Sequence, residues 1–328
     1  MMERRSFLKK LVGSALLAAA PVQALASQTG VASRTADDER LFTETRLMMG
    51  TFVTLTVSGA EASRAAEAMH SAFTAMAQAE ALLTRFSGAS ALGQLNSGGL
   101  LRDVPAELSD VVQASLLIHG QTGGAFDPTV LPVMEVLAGG HVQRSELEEA
   151  RELVGMGRVR IDGRDVRFER GGMRMSLDAI AKGYIADLAV KNLHASGLAD
   201  FLVNAGGDIV ARGTKAGRPW KVAVENPGRY QGRTEYLAVC SLSDRAMATS
   251  GDYESAARGV RHLVDPLARG VRPLQSATVL APTAMEADAL ATALCVMTEP
   301  LAFIESMPHT ACLLVMADGT VRTSSRWA

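Results

Sequence analysis

Alternation of apolar and polar positions over residues 52–57, FVTLTV, predicts a half-buried strand, and the same extended reading covers 43–57 with Gly50 as an interruption. A glycine inside a strand pattern marks a bend or the close approach of another group. The pattern then changes period. Ala65, Met69, Phe73 and Met76 recur at helical spacing, which predicts one long Ala-rich helix over 60–83, and a second apolar-periodic stretch predicts a helix over 108–121. Between 139 and 157 the chain turns polar, and SELEEARELVGMG predicts a solvated helix. Two short strands, 159–161 and 165–168, flank an Asp162-Gly163 turn. Residues 175–187 read as a strand end running into a helix that continues to Ser196. Further strands are predicted at 201–203, 220–224, 237–239, 277–280 and 313–316, with polar loops at 248–253 and 262–266. Strands and helices are interspersed throughout, so the fold class is α/β or α+β.

One helix carries chemistry as well as pattern. Thr283 followed by Glu286 is a capping box: the hydroxyl takes one free backbone N–H and the carboxylate reaches back for another. In the helix that starts there, Asp288 and Thr292 stand four residues apart, on one face. Hard oxygen donors of this kind suit Mg²⁺, which keeps several waters and takes the rest of its octahedron from substrate phosphates. A polar helix face is the plainer alternative. Lys182, near a predicted helix start, is placed to reach an anionic ligand. The glycines of Asn204-Ala205-Gly206-Gly207-Asp208 permit close approach after a strand, but no dinucleotide-binding G-x-G-x-x-G opens a helix there. Thr122-Gly123-Gly124-Ala125-Phe126-Asp127-Pro128 predicts an ordered loop, and His262 has the chemistry of a proton carrier near neutral pH.

Composition narrows the setting. The N-terminal run Glu3-Arg4-Arg5-Ser6-Phe7-Leu8-Lys9, a short apolar stretch over 11–20 and Ala24-Leu25-Ala26 predict a twin-arginine export signal over 1–26 and a periplasmic address. A flexible linker over 27–40 and one domain over 41–328 follow, with no membrane span expected after cleavage. The full chain has 33 basic and 35 acidic residues. Loss of Arg4, Arg5, Lys9, Lys10 and Glu3 takes the net charge from −2 to about −5, a balance that excludes a nucleic-acid partner. Cys240, Cys295 and Cys312 lack metal-type spacing and are expected in the core.

Taken in order, Met49-Gly50-Thr51, the stretch SALGQLN over 90–96, Gly124-Ala125-Phe126-Asp127, IAKGYIAD from Ile180, NAGGD from Asn204, TSGDY from Thr249, HLVDP from His262 and APTAMEADALAT from Ala281 resemble the ApbE family of Mg²⁺-dependent FAD:protein FMN transferases. The resemblance implies FAD as substrate, Mg²⁺ as cofactor and, as partner, an acceptor flavoprotein of a membrane electron-transfer complex. It implies metal ligation by the backbone carbonyl of Ala179 and the side chains of Asp288 and Thr292. Flavin and nucleotide contacts are implied for Met49, Phe86, Ala125, Phe126, Asp127, Ser176, Lys182, His262 and Asp265. A Thr or Ser hydroxyl of the partner would take FMN and AMP would leave, with His262 as base and Asp288 as its rival in that role. An accessory protein that binds or hydrolyses FAD without attaching it is the alternative. The chain departs from the family pattern in having Ser176-Leu177-Asp178 where many members have Asp-Leu-Gly, and Leu267-Ala268-Arg269-Gly270 after Asp265-Pro266.

Overall fold

The computed structural model describes residues 40–327 apart from 141, 229–233, 252–262, 269 and 271–273. In chain order the elements are β1 (Leu41–Met48), β2 (Thr51–Ser58), α1 (Ala62–Leu83), α2 (Ala91–Gly98), β3 (Leu100–Leu101), α3 (Ala106–Gln121), α4 (Leu131–Ala138), α5 (Arg144–Glu152), β4 (Val159–Asp162), β5 (Asp165–Phe168) and α6 (Ala181–Ala195). There follow β6 (Phe201–Ala205), β7 (Asp208–Arg212), β8 (Trp220–Glu225), β9 (Tyr236–Leu242), β10 (Arg245–Gly251), β11 (Leu274–Ala281), α7 (Ala284–Leu294), α8 (Pro300–Ser306), β12 (Ala311–Met316) and β13 (Val321–Thr323).

Among the described residues the main sheet has eight strands in the order β1-β2-β6-β7-β10-β11-β12-β13, and every neighbouring pair is antiparallel. Period-2 alternation sorts its side chains onto two faces. Val53, Leu55, Phe201, Val203, Ala246, Ala248, Ala277, Val279, Cys312 and Leu314 point into the larger core with the helices. Ile209, Ala211, Met247, Leu280, Leu313 and Val315 point the other way, onto Trp220, Val222, Cys240 and Leu242 of the β8–β9 hairpin. On the helical side α1 packs on α6, α6 on α7, and α7 on β10 and β11. Alanines make these approaches close: Ala65, Ala68, Ala72 and Ala79 of α1 are buried with Met69, Phe73 and Met76. The mixed helix and strand content agrees with the expected class, and the antiparallel pairing makes the arrangement α+β.

Four local expectations need correction. Residues 43–57 are two strands, because Met49 (φ 52°) and Gly50 (φ 71°) both adopt left-handed backbone, the geometry of a two-residue hairpin turn whose twist matches its flanking strands. Residues 175–178 are not strand: Leu177 O accepts from the N–H groups of Ile180 and Ala181, so the segment turns into α6. Residues 248–251 belong to β10 rather than to a loop, paired with β11 through Gly251↔Ser276. Only half of the capping box forms: Thr283 Oγ1 accepts from Glu286 N at 3.2 Å, while the next two free N–H groups, of Ala284 and Met285, donate to Asp187 of α6 at 3.0 and 2.9 Å. The three cysteines are buried, as expected, and form no disulfide. No helix among the described residues is long and apolar enough to cross a membrane.

Candidate active site

Helices α6 and α7 cross at Gly183, and the site is built on that crossing. A Cβ at Gly183 would lie 2.3 Å from the carbonyl oxygen of Ala284, so the two backbones meet where only a glycine fits. Each helix supplies a carboxylate to the start of the other. Asp187 of α6 takes the Ala284 and Met285 N–H groups, and Asp288 Oδ2 of α7 accepts from Gly183 N at 3.2 Å in the first turn of α6. Both satisfy donors that a helix start leaves free, at the positive end of its dipole.

The crossing opens onto a cavity of about 660 Å³. Its walls bring together Met49, Ala125, Phe126, Asp127, Ser176, Ala179, Lys182, Asp288 and Thr292, all expected from the sequence. Phe86, 77% exposed, lies instead on an adjoining cavity of about 380 Å³ that shares Met49, Gly50, Asp178 and Lys182 with the larger one. Asp265 is not on either wall: its carboxylate accepts from Leu267 N at 3.1 Å, although its neighbours Val264 and Pro266 line the larger cavity. His262 lies outside the described residues.

Several walls are fixed by side chains that stand in for backbone pairing. Asn96 Oδ1 accepts from Met175 N at 2.8 Å and its Nδ2 donates to Met175 O at 2.9 Å, while Ser176 N donates to Pro128 O. These bonds bracket the segment that carries Ser176, Asp178 and Ala179. The 122–128 loop is ordered, as expected. Thr122 Oγ1 donates to Ile118 O and accepts from Phe126 N. The Asp127 carboxylate turns inward, accepting from Thr129 N and Oγ1 and from Met156 N, so its side chain holds the loop.

Charge is concentrated on one side. Lys182 Nζ donates to Asp208 Oδ2 at 2.5 Å. Burial alone would lower the Lys182 pKa, but the nearby carboxylates of Asp208 and Asp288 outweigh it and raise it, which keeps the ammonium protonated. Burial holds the Asp208 carboxyl above its ordinary range against the pull of that ammonium. Asp288 is pushed up to about 7, first by burial and next by the Asp208 charge, with Lys182 and the Gly183 N–H opposing. Thr292 Oγ1 is 2.9 Å from Ser250 Oγ on the same wall. A buried carboxylate, a hydroxyl and Ala179 beside one cavity form a hard-oxygen set, and they fit a divalent cation such as Mg²⁺. No group of three or more His, Cys, Asp or Glu side chains converges among the described residues, so such an ion would rely on bound water and ligand oxygens.

Sequence reasoning missed Asp208, Gly183 and the pair Arg85–Asp178. Asp208 and Gly183 stood inside motifs already singled out, NAGGD and IAKGYIAD. Their roles required knowing that β7 and α7 lie beside α6. Asp178, where the chain departs from the family pattern, pairs with Arg85 (Nε–Oδ2 2.7 Å).

Comparison with known proteins agrees with this geometry. The family model described as ApbE family matches residues 49–314. The FAD:protein FMN transferase of Salmonella typhimurium is 29% identical over 294 residues, 83% of each chain, and that of Escherichia coli K12 is 28% identical over 76% of each. Among solved structures, the apo flavinyl transferase ApbE of Pseudomonas stutzeri superposes with a TM-score of 0.78 at 25% identity, covering 88% of this chain and 95% of its own. The ApbE protein of Thermotoga maritima gives 0.77 at 26%, covering 87% and 97%. A match that spans both walls of the cavity and the crossing of α6 with α7 makes this chain a member of the ApbE family.

Proposed function

We propose that this protein is an enzyme that transfers the FMN part of FAD to a Thr or Ser hydroxyl of a partner flavoprotein, with release of AMP and dependence on Mg²⁺. The observation that carries the reading is the convergence of Ala179, Asp288, Thr292 and Lys182 on one cavity with an adjoining chamber, in a chain whose relatives are named FAD:protein FMN transferases.

Ala179, Asp288 and Thr292 would hold the metal, which when bound supplies positive charge to the diphosphate oxygens. Lys182 adds a fixed cation on the same wall, held by Asp208 so that it needs no reorganisation as charge develops. The acceptor oxygen forms a bond to the FMN-side phosphorus, the bond from that phosphorus to the AMP phosphate oxygen breaks, and AMP leaves with the electron pair. The hydroxyl proton passes to a base, which we assign to His262, with Asp288 as the alternative. Asn96 and Pro128 keep the Ser176–Ala179 wall in register, so the ligand positions are set before substrate arrives. The twin-arginine run at Arg4-Arg5 supports a periplasmic site of action, and supports as acceptor a flavoprotein of a membrane electron-transfer complex.

Purified protein incubated with FAD, Mg²⁺ and an acceptor domain tests the reading by intact mass. An acceptor heavier by one FMN phosphoester, with the gain abolished by EDTA, is the expected result. Release of AMP with no change in acceptor mass identifies an FAD hydrolase instead. Fractionation of cells expressing the full chain, with and without Arg4→Lys/Arg5→Lys, tests the address.

A further inference from the structure

Arg85 is held from two sides. Its Nε donates to Asp178 Oδ2 at 2.7 Å, and its guanidinium carbon lies 4.1 Å from the ring centroid of Phe86. Its terminal nitrogens have no partner among the described residues, which leaves the guanidinium four N–H donors in a fixed plane. Arg85 lines the larger cavity, Phe86 the smaller, and Asp178 both. The fold gains little from the trio. Asp178 is half exposed and Phe86 largely so, and a pair in such surroundings contributes little to stability. Placement, donors left over and poor structural return all point toward a ligand.

Charge says which ligand. Three carboxylates, Asp127, Asp178 and Asp288, line the cavity with two cations, Lys182 and Arg85, and Asp208 sits behind Lys182. Lys182 is engaged by Asp208, and Asp178 would repel an incoming anion unless Arg85 covered it. We infer that Arg85 is an anion-binding residue of this site, oriented by Asp178 and Phe86, and that it contacts the diphosphate of a dinucleotide lying across the two cavities. This rests on the reading of the protein as a flavin transferase. Asp178 acts through Arg85 and is a positioning residue.

The test is titration of wild type, Arg85→Ala and Arg85→Lys with FAD, riboflavin and inorganic pyrophosphate, each with Mg²⁺. Loss of charge-assisted hydrogen bonds should weaken FAD and pyrophosphate about ten- to hundredfold in Arg85→Ala and leave riboflavin unchanged. Arg85→Lys, which keeps the charge and loses the fork, should fall between and guards against a misfolded alanine variant. Equal weakening of FAD and riboflavin would mean that Arg85 merely supports Phe86, and unchanged FAD binding would mean that it does nothing; either overturns the assignment. Wild type that binds pyrophosphate through Arg85 but not FAD would keep the anion site and reject the flavin reading, whereas no binding of either rejects both. Asp178→Asn should alter FAD affinity alone and have no further effect in Arg85→Ala; an equal effect in both backgrounds removes its positioning role.

Discussion

Gly183→Ala is the sharpest test of how this site is built. The added Cβ would lie 2.3 Å from Ala284 O, 2.5 Å from Ala284 C and 2.7 Å from Met285 Cα. All three are backbone atoms of α7, so no side chain can swing away. Restoring an ordinary separation of about 3.5 Å requires α6 and α7 to part by about 1 Å at their crossing. Overpacking of this kind costs about 1–3 kcal/mol, and with rigid backbone on both sides the upper end applies. The hydrogen bond from Gly183 N to Asp288 is stretched at the same time and adds about 1 kcal/mol. Alanine's better helix propensity returns at most about 1 kcal/mol. The net loss is therefore about 3 kcal/mol, read as a lower urea midpoint at unchanged slope. Gly120→Ala is the control: it lies in α3 with nothing within 4 Å of its added Cβ, and it should stabilise by up to about 1 kcal/mol. A displacement of about 1 Å at Asp288 should also reduce FMN transfer about a hundredfold in whatever protein remains folded. A Gly183→Ala protein within about 0.5 kcal/mol of wild type would refute the packing argument, and normal transfer would separate the crossing from the chemistry.

The other expectations are more local. Asp288→Ala removes a carboxylate whose ionised form is disfavoured by burial, so it should fold; wild type should gain thermal stability as Mg²⁺ is added and the variant should not, and a normal Mg²⁺ response would remove Asp288 from the metal site. Met49→Gly should raise stability by up to about 1 kcal/mol, because Met49 holds φ 52° in the hairpin turn, and should weaken FAD binding because Met49 lines both cavities; a lower melting temperature would show that its packing outweighs its backbone strain. Burial raises the Asp187 carboxyl above its ordinary range, with its two capping bonds opposing, so its folded form holds the proton more tightly than the unfolded chain does. Its contribution is present at low pH and lost as pH rises from about 4 through the raised value, and Asp187→Asn should remove that slope in urea unfolding across the window; a wild-type stability that climbs relative to the variant there would reverse the sign.

What the sequence revealed and what it hid divide along one line. Elements defined by local pattern were legible: the Ala-rich α1, the helix opened by Thr283, the 159–168 hairpin and the ordered glycine loop before Pro128. So were residues whose role is chemical type at a fixed local spacing, as with Asp288 and Thr292 four apart on α7. The failures were of two kinds. Extended segments were misdivided where a single backbone conformation decides, as at Met49, a left-handed methionine that no propensity predicts. Long-range partners were invisible: Asp187 lies 97 residues from Ala284, and Arg85 lies 93 from Asp178. Asp127 shows the limit most plainly. Its motif placed it at the cavity, where it does line the wall, but gave no sign that its buried carboxylate is occupied by Thr129 and Met156.

The exchange of caps between α6 and α7 ties stability to function in a specific way. A carboxylate that only capped a helix could be replaced by Asn or Ser at little cost, since all three are strong N-caps. Asp187 comes nearer to that description, since neither it nor Ala284 or Met285 lines either cavity, but each of its oxygens accepts one N–H of α7, so Asn would keep one capping bond and turn a donor toward the other. Asp288 does not, because the same carboxylate that meets Gly183 also faces the cavity, beside Asp208, in surroundings that raise its pKa to about 7. Selection for the fold alone would favour an amide there, which keeps the cap and removes a buried charge. The chain instead keeps the acid and closes the helices on a glycine so that the acid can reach both places. Asp288→Asn and Asp187→Asn are therefore chemically matched substitutions with opposite expected profiles. The first should keep or gain stability and lose Mg²⁺ binding, and the second should keep Mg²⁺ binding, lose about 1 kcal/mol with one of its two capping bonds and flatten the pH dependence of unfolding. Calorimetric Mg²⁺ titration beside urea unfolding distinguishes them, and two variants with the same profile would mean that the two caps are interchangeable and that the site does not depend on which helix carries the charge.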